Sequence, residues 1–510
     1  MRTPLARLCG ALLTLLLAVT VAACGGGGGT RASSSAAEGR LSIGAAAVPA
    51  SLDPRKSAPY EALWVGLLYD ALVTRTEDGS YQPGLAESWT FTPDGLELTL
   101  RTGVTFQDGA PFDAAAVKAN LDYSTTHSAN FSNQLTSLEA VEVVDPTHVR
   151  LRMSDSPAPM LGVLAGEAGM MISPAALSRE DLSTNPAGTG AYTLDRFVGT
   201  ELEFTAWDGY WNRAAVTLPG VDVTVLIDET ARLRALRSGQ MDAAFLTAEQ
   251  VDEARTAGLQ VTSSATADFW GVIVNIGQSE FADPRVRQAM MLGLDRPAIA
   301  RNLFGDGCVP SAQPFRPDDW AYVPGLDDLP AAQYDPARAR QLLAEAGLPN
   351  GFAFELQTGA MQSYVRTAEV LQAQWAEIGI TVNLRPMENV QFVTARRNGE
   401  FEATVSVYQT ARPDPSEFVK TFYVPGGLFN PSGYELPGLA ELLVQSSSSP
   451  DLAVRTPPMH QIMTDVLNDG PPVMPICTRT TSYAYRDNVH GLSVAPLFDS
   501  NLSRVSVDPR

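Results

Sequence analysis

The apolar positions along this chain change period repeatedly, and each change marks an element. Asp228-Glu229-Thr230 opens a helix with Leu233 and Leu236 on its apolar side; Gly239 stops it, and 241–245 is predicted as a short strand. Asp283-Pro284 supplies an N-cap and a first-turn proline for a helix over 285–292, with Val286, Ala289 and Met290 on one face. Asp335-Pro336 repeats the device ahead of Leu342, Leu343 and Ala346, and Gly347 ends that helix. Over 366–378, Val370, Leu371, Gln374, Trp375 and Ile378 share one side; Gly379 closes the helix and 380–384 alternates as a strand. A helix over 390–397, an Asn398-Gly399 turn and a strand over 401–408 follow. Residues 85–150 differ. Thr92-Pro93-Asp94-Gly95 turns into a strand over 96–100, a helix is predicted over 113–122, and strands over 138–144 and 148–153 meet at Asp145-Pro146. The pattern is α/β with an inserted α+β part, without internal repeats.

The first residues follow another logic. Arg2 and Arg7 precede an almost wholly apolar run over 11–23. The run falls short of the ~20 apolar residues a spanning helix needs, so it reads as an export signal. Val21-Ala22-Ala23-Cys24 ends the run in the pattern of a bacterial lipobox, with Cys24 as the lipidated residue and new N-terminus. Five glycines over 25–29 and Thr30-Arg31-Ala32-Ser33-Ser34-Ser35 form no core; they predict a flexible tether reaching roughly 20 Å.

Charge and cysteine content narrow the classes. Removing the signal leaves 34 basic against 57 acidic residues, a net charge near -23 that disfavours nucleic acid. Beyond Cys9 and Cys24 only Cys308 and Cys477 remain. In an oxidising compartment they are expected to pair, the alternative being two buried free thiols.

Catalytic signatures are absent. No lysine follows a glycine, which excludes a phosphate-binding P-loop. Gly188-Thr189-Gly190 lacks the third glycine of a dinucleotide fingerprint, and Gly491-Leu492-Ser493-Val494-Ala495 ends in alanine where a nucleophile elbow needs glycine. His127, His148, His460 and His490 are isolated, without zinc spacing. No catalytic residue, metal or cofactor is nominated.

A series of blocks in fixed order carries a resemblance. It runs from Leu52-Asp53-Pro54 and Leu68-Tyr69-Asp70-Ala71-Leu72 to Pro83-Gly84-Leu85-Ala86-Glu87-Ser88-Trp89. Gly103-Val104-Thr105-Phe106-Gln107-Asp108-Gly109, Gly188-Thr189-Gly190-Ala191-Tyr192 and Ser238-Gly239-Gln240-Met241-Asp242 continue it. Asn275, Phe281-Ala282-Asp283-Pro284-Arg285-Val286-Arg287, Tyr334-Asp335-Pro336 and Asp414-Pro415 complete it. In these the chain resembles the peptide/nickel class (family 5) of extracellular solute-binding proteins that serve ABC importers.

The resemblance implies a two-lobed periplasmic-binding-protein-like fold, class II in its large three-domain form, with a hinge between the lobes. The expected division is 1–23 signal peptide and 24–39 tether. Domain I takes 40–72, 187–308 and 478–510, domain II 73–186, and domain III, the second lobe, 309–477. The crossings between lobes are expected near Cys308 and Cys477, where a disulfide would staple the two crossing strands together.

The implied function is capture of a peptide or other small solute outside the membrane and delivery to a permease and its ATPases, by a lipid-anchored, non-enzymatic monomer. A ligand-sensing surface lipoprotein and, more remotely, a secreted hydrolase are the rival readings. Ligand contacts are expected from Trp270, Asn275, Tyr408 and Arg412. In dipeptide-binding members an aspartate grips the amino group and an arginine the carboxylate; here Ala411 and Thr358 stand at those places. Free dipeptides are therefore disfavoured, and longer peptides or a neutral or anionic solute meeting Arg412 are favoured.

Overall fold

The computed structural model describes residues 39–57, 61–76, 80–132, 134–410, 414–494 and 502–509. The signal, Cys24, nearly all of the tether, Ala411 and Arg412 lie outside them. No described helix is long and apolar enough to cross a membrane.

Strand β1 (Leu41–Ala45) is followed by a hairpin, β2 (Val73–Arg75) and β3 (Tyr81–Pro83), that sets Arg75 opposite Tyr81. Next come β4 (Ala86–Thr92), β5 (Gly95–Leu100), β6 (Leu138–Asp145) and β7 (His148–Met153), an antiparallel sheet in the order β4-β5-β7-β6. Alternation directs Leu96, Leu98, Leu100, Val149 and Leu151 inward, into one core with Val117 and Leu121 of the helix Ala114–His127. Asp113 caps that helix by accepting from the Ala116 N–H at 2.9 Å.

β8 (Tyr192–Val198), β9 (Glu201–Ala206) and β10 (Gly220–Val225) run antiparallel to one another. β1 then lies parallel to both β10 and β11 (Ala243–Leu246). The intervening helix Glu229–Arg237, capped by Asp228 as its sequence predicts, buries Arg232, whose Nε donates to the Phe245 carbonyl at 2.8 Å.

The remaining strands are β12 (Gln260–Val274), β13 (Cys308–Pro310), β14 (Ala353–Gly359), β15 (Thr381–Met387), β16 (Ala403–Gln409) and β17 (Val473–Tyr485). β14 is parallel to β15 and β16, and one eleven-stranded sheet runs β15-β14-β16-β12-β17-β11-β1-β10-β9-β8, with β13 off this path, paired to β17. Its two halves are α/β lobes, and β12 and β17 belong to both. They pair over 260–265 with 480–485 and again over 269–273 with 473–478, with an irregularity between. β11 joins β17 at the first stretch, and β16 joins β12 at the second.

The chain thus leaves the first lobe within β12, some forty residues before Cys308, and returns within β17 beside Cys477. The helices Pro284–Leu292 and Arg296–Phe304 bury their apolar faces with Phe354, Leu356 and Trp375, which ties 269–308 to the second lobe. Trp375 is wholly buried and donates its indole N–H to the Met290 carbonyl at 3.0 Å. Cys308 and Cys477 are joined, with Cα atoms 5.5 Å apart. The bond ties short β13 to returning β17, whereas the sequence suggested two crossing strands.

Gly351 shows why one turn in this lobe needs glycine. Its φ is +75°, and a Cβ there would lie 1.7 Å from the Gly379 carbonyl oxygen.

Candidate functional site

In open α/β sheets ligands collect outside the carboxyl ends of the parallel strands, where no side chain or helix fills the space. In the first lobe those ends are Ala45, Val225 and Leu246; in the second they are Gly359, Met387 and Gln409. The register aims both sets at the crossing. Leu246 pairs with Ser482 and Gln409 with Asp268, each at the edge of the irregularity in β12 and β17. Apolar exposure follows the same line. Val390 (80%), Ile227 (76%) and Met361 (66%) are three of the four most exposed large apolar side chains among the described residues, and each lies two or three residues past a strand end. Such surface suits a ligand cleft.

The polar groups at the crossing are Asp268, Arg479, Gln409 and Thr410. Burial raises the Asp268 carboxyl above its ordinary range, against the Arg479 guanidinium 3.5 Å away and a hydrogen bond from Gln409. Thr410 donates both its N–H (2.6 Å) and its hydroxyl (2.7 Å) to the Ala267 carbonyl. Asp414 caps the helix Pro415–Tyr423 and accepts from Arg455 Nη2 at 2.7 and 2.8 Å, a pair at most 1% exposed.

The residues singled out in the sequence fall in different places. Asn275 lies past the far end of β12, about 20 Å from the crossing at 3.3 Å per residue. Its amide N–H groups go to the Gly399 and Phe401 carbonyls, and its oxygen accepts from the Gly277 N–H and the Ser432 hydroxyl. Every polar valence of that side chain is used internally. Tyr408 is 2% exposed; its hydroxyl meets Thr404 at 2.6 Å, its ring packs on Phe269, Phe422 and Phe429, and burial pushes it up to about 12. Both residues are built into the core. Trp270 stands beside the crossing but is buried between Phe304, stacked at 5.3 Å, and Tyr364, edge-on at 4.7 Å. Arg412 lies outside the described residues. Thr358 is wholly buried, with its hydroxyl unpartnered.

Sequence reasoning passed over Asp268, because one carboxylate in a Thr/Ala-rich run has no periodic signature. It also missed a seam between the lobes. There Arg75 of the β2–β3 hairpin approaches Asp319 at 3.8 Å, Lys420 approaches Asp155 at 3.8 Å, and the Ser156 hydroxyl donates to the Ser447 carbonyl. The described residues contain no group of three His, Cys, Asp or Glu side chains able to hold a metal ion.

Known proteins share this architecture. The chain is 29% identical over 433 residues to the glutathione-binding protein GsiB of Escherichia coli strain K12, which covers 81% of this chain and 83% of that one. With GsiB of Salmonella paratyphi A the identity is 32% over 353 residues, 67% of this chain and 68% of the relative. The structure of HbpA2 from Haemophilus parasuis superposes with a TM-score of 0.82 at 22% identity, covering 92% of this chain and all of that one. Residues 80–430 match the family model described as bacterial extracellular solute-binding proteins, family 5 middle. That match spans the inserted sheet, β10 and β11 of the first lobe, the second lobe's parallel strands and β12, and the chain accordingly belongs to the family 5 extracellular solute-binding proteins.

Proposed function

We propose that the chain captures a short peptide or another small solute in the cleft between its lobes and hands it to an ABC importer. A lipid on Cys24 holds it at the outer face of the cell membrane, and it works as a monomer without catalysing a reaction. The observation that carries this reading is the convergence of both lobes' parallel-strand ends on a crossing made of only two strands. That geometry suits two walls that close over a solute. Lobe 1 then comprises residues 40–265 and 479–509, with 84–171 as its inserted part, and lobe 2 comprises 269–477. Asp268, Gln409 and Arg412 are the polar contacts proposed for the solute, with Trp270 behind them.

GsiB is named for glutathione, which makes glutathione and tripeptides of similar size the first solutes to test. The decisive experiment releases and identifies whatever copurifies with the chain, then adds it back in a thermal-shift assay. A ligand at a hundred times its Kd adds about 2.7 kcal/mol to the folded state. Free dipeptides are expected to give no shift, since neither Ala411 nor Thr358 offers the charge their termini need. A clear dipeptide response would reject this assignment. Loss of solute uptake on deletion of the chain separates import from sensing.

A further inference from the structure

The hairpin β2–β3 meets the second lobe where the loop after β13 and the start of the helix Pro415–Tyr423 come together. Tyr81 is the centre of this junction. It lies 6.0 Å from the Arg75 guanidinium, and its hydroxyl, raised by burial, also lies within the field of Asp414, Arg455 and Asp319. Arg316, on the loop after β13, is near enough to Arg75 for the like charges to repel. Arg455 covers the Trp320 ring at 4.7 Å. Three guanidiniums are therefore buried together, with side-chain exposures of 11% for Arg75, 2% for Arg316 and 1% for Arg455.

Each guanidinium has a carboxylate beside it, but these do not fill all of its donor positions. Asp414 is taken by Arg455 and Ser416; Asp318 and Asp319 stand 3.4 and 3.8 Å from Arg316 and Arg75. Arg75 Nε and Nη2, Arg316 Nε and Nη1, Arg455 Nη1 and the Tyr81 hydroxyl are all buried without a hydrogen-bond partner. Every unmet group in the junction can donate. Guanidinium forks of this kind suit a planar or tetrahedral oxyanion.

We propose that this junction is an oxyanion subsite of the cleft, in which Arg75, Tyr81 and Arg316 hold a carboxylate or phosphate-like group of the cargo. The proposal rests on the solute-capture reading and narrows the cargo to anionic solutes. A group held by the hairpin of one lobe and the loop of the other favours the closed form over the open one, which is the differential affinity that closure requires.

The test uses the purified chain, unfolded and refolded to strip bound solute, and titrated with inorganic phosphate or with chloride at matched ionic strength. Calorimetry and thermal shift should show saturable phosphate binding that chloride does not reproduce. Arg75→Met and Arg316→Met should each weaken phosphate by about tenfold to a hundredfold, the range for one charge-assisted hydrogen bond, and Tyr81→Phe by less. Should Arg316→Met fail to fold, Arg75→Met on the partly exposed hairpin carries the comparison. Equal responses to phosphate and chloride, or unchanged phosphate affinity in the arginine variants, overturn the subsite. A chain that ignores phosphate yet rebinds its copurified solute refutes the subsite and leaves solute capture standing. Phosphate binding without any retained or transported solute does the reverse.

Discussion

Single side chains carry consequences that solution experiments reach directly. Burial, with the Glu61 carboxylate nearby, pushes Glu167 up to about 7 despite a hydrogen bond from the Ser57 hydroxyl. A carboxyl raised on folding favours the folded state fully below its unfolded pKa, and that advantage is lost as pH rises from about 4.5 to about 7. Glu167→Gln should therefore raise the Tm at pH 8, by of order 2 kcal/mol of stability, and change little at pH 4.5. The Asp414–Arg455 pair gives the opposite expectation. Asp414→Asn strands a buried guanidinium and should cost about 3–5 kcal/mol, seen as a lowered urea midpoint at unchanged slope. At this scale the sequence spoke unevenly. Asn275 and Tyr408 stood in recognisable blocks, but the blocks mark scaffold, and both side chains satisfy themselves within the core. Arg75, Arg316 and Asp268 had no local signature, since what makes them notable is neighbours that arrive from distant parts of the chain.

Secondary structure was legible wherever punctuation was chemical. Asp228, Asp283, Asp335 and Asp414 all cap helices, and Gly239, Gly347, Gly379 and Gly399, each past the end of a helix, all take positive φ. Where punctuation is weak the limits moved: the helix expected from 366 begins at Gln362, because Met361 at its N-cap offers no polar side chain. The helix Leu452–Asp469 escaped notice because Pro457 and Pro458 lie inside it, and a proline pair ordinarily signals a stop. β12 and β17 escaped for another reason. Each is one continuous strand serving two lobes of different surroundings, so neither shows one clean alternation. Gly351 tests the punctuation directly. Gly351→Ala must move the Gly379 carbonyl and accept positive φ, and about 1–3 kcal/mol of destabilisation is expected by urea unfolding.

For the molecule as a whole, the two-lobed α/β plan was readable from the order of the blocks, whereas the place of the first crossing was not. That place depends on which core the helices after β12 join, and their apolar faces fit either lobe until Trp375 is seen between them. The bond between Cys308 and Cys477 closes a loop of 169 residues. Thiol titration of the unfolded, unreduced chain should find neither cysteine reactive, and a Cys308→Ala, Cys477→Ala double variant should lose about 4–5 kcal/mol in the chain-entropy account. The same strand that holds Cys477 also forms, with β12, the backbone connection between the lobes among the described residues. On either side of residues 266–268 the pair keeps its own ladder of backbone hydrogen bonds, so swinging one wall against the other asks only for torsional change in a short span and ruptures neither ladder. The free-energy difference between the gaping and shut states then falls on the contacts across the seam and on the cargo, not on the hinge strands. A cargo of modest grip suffices to decide which of them a membrane partner meets.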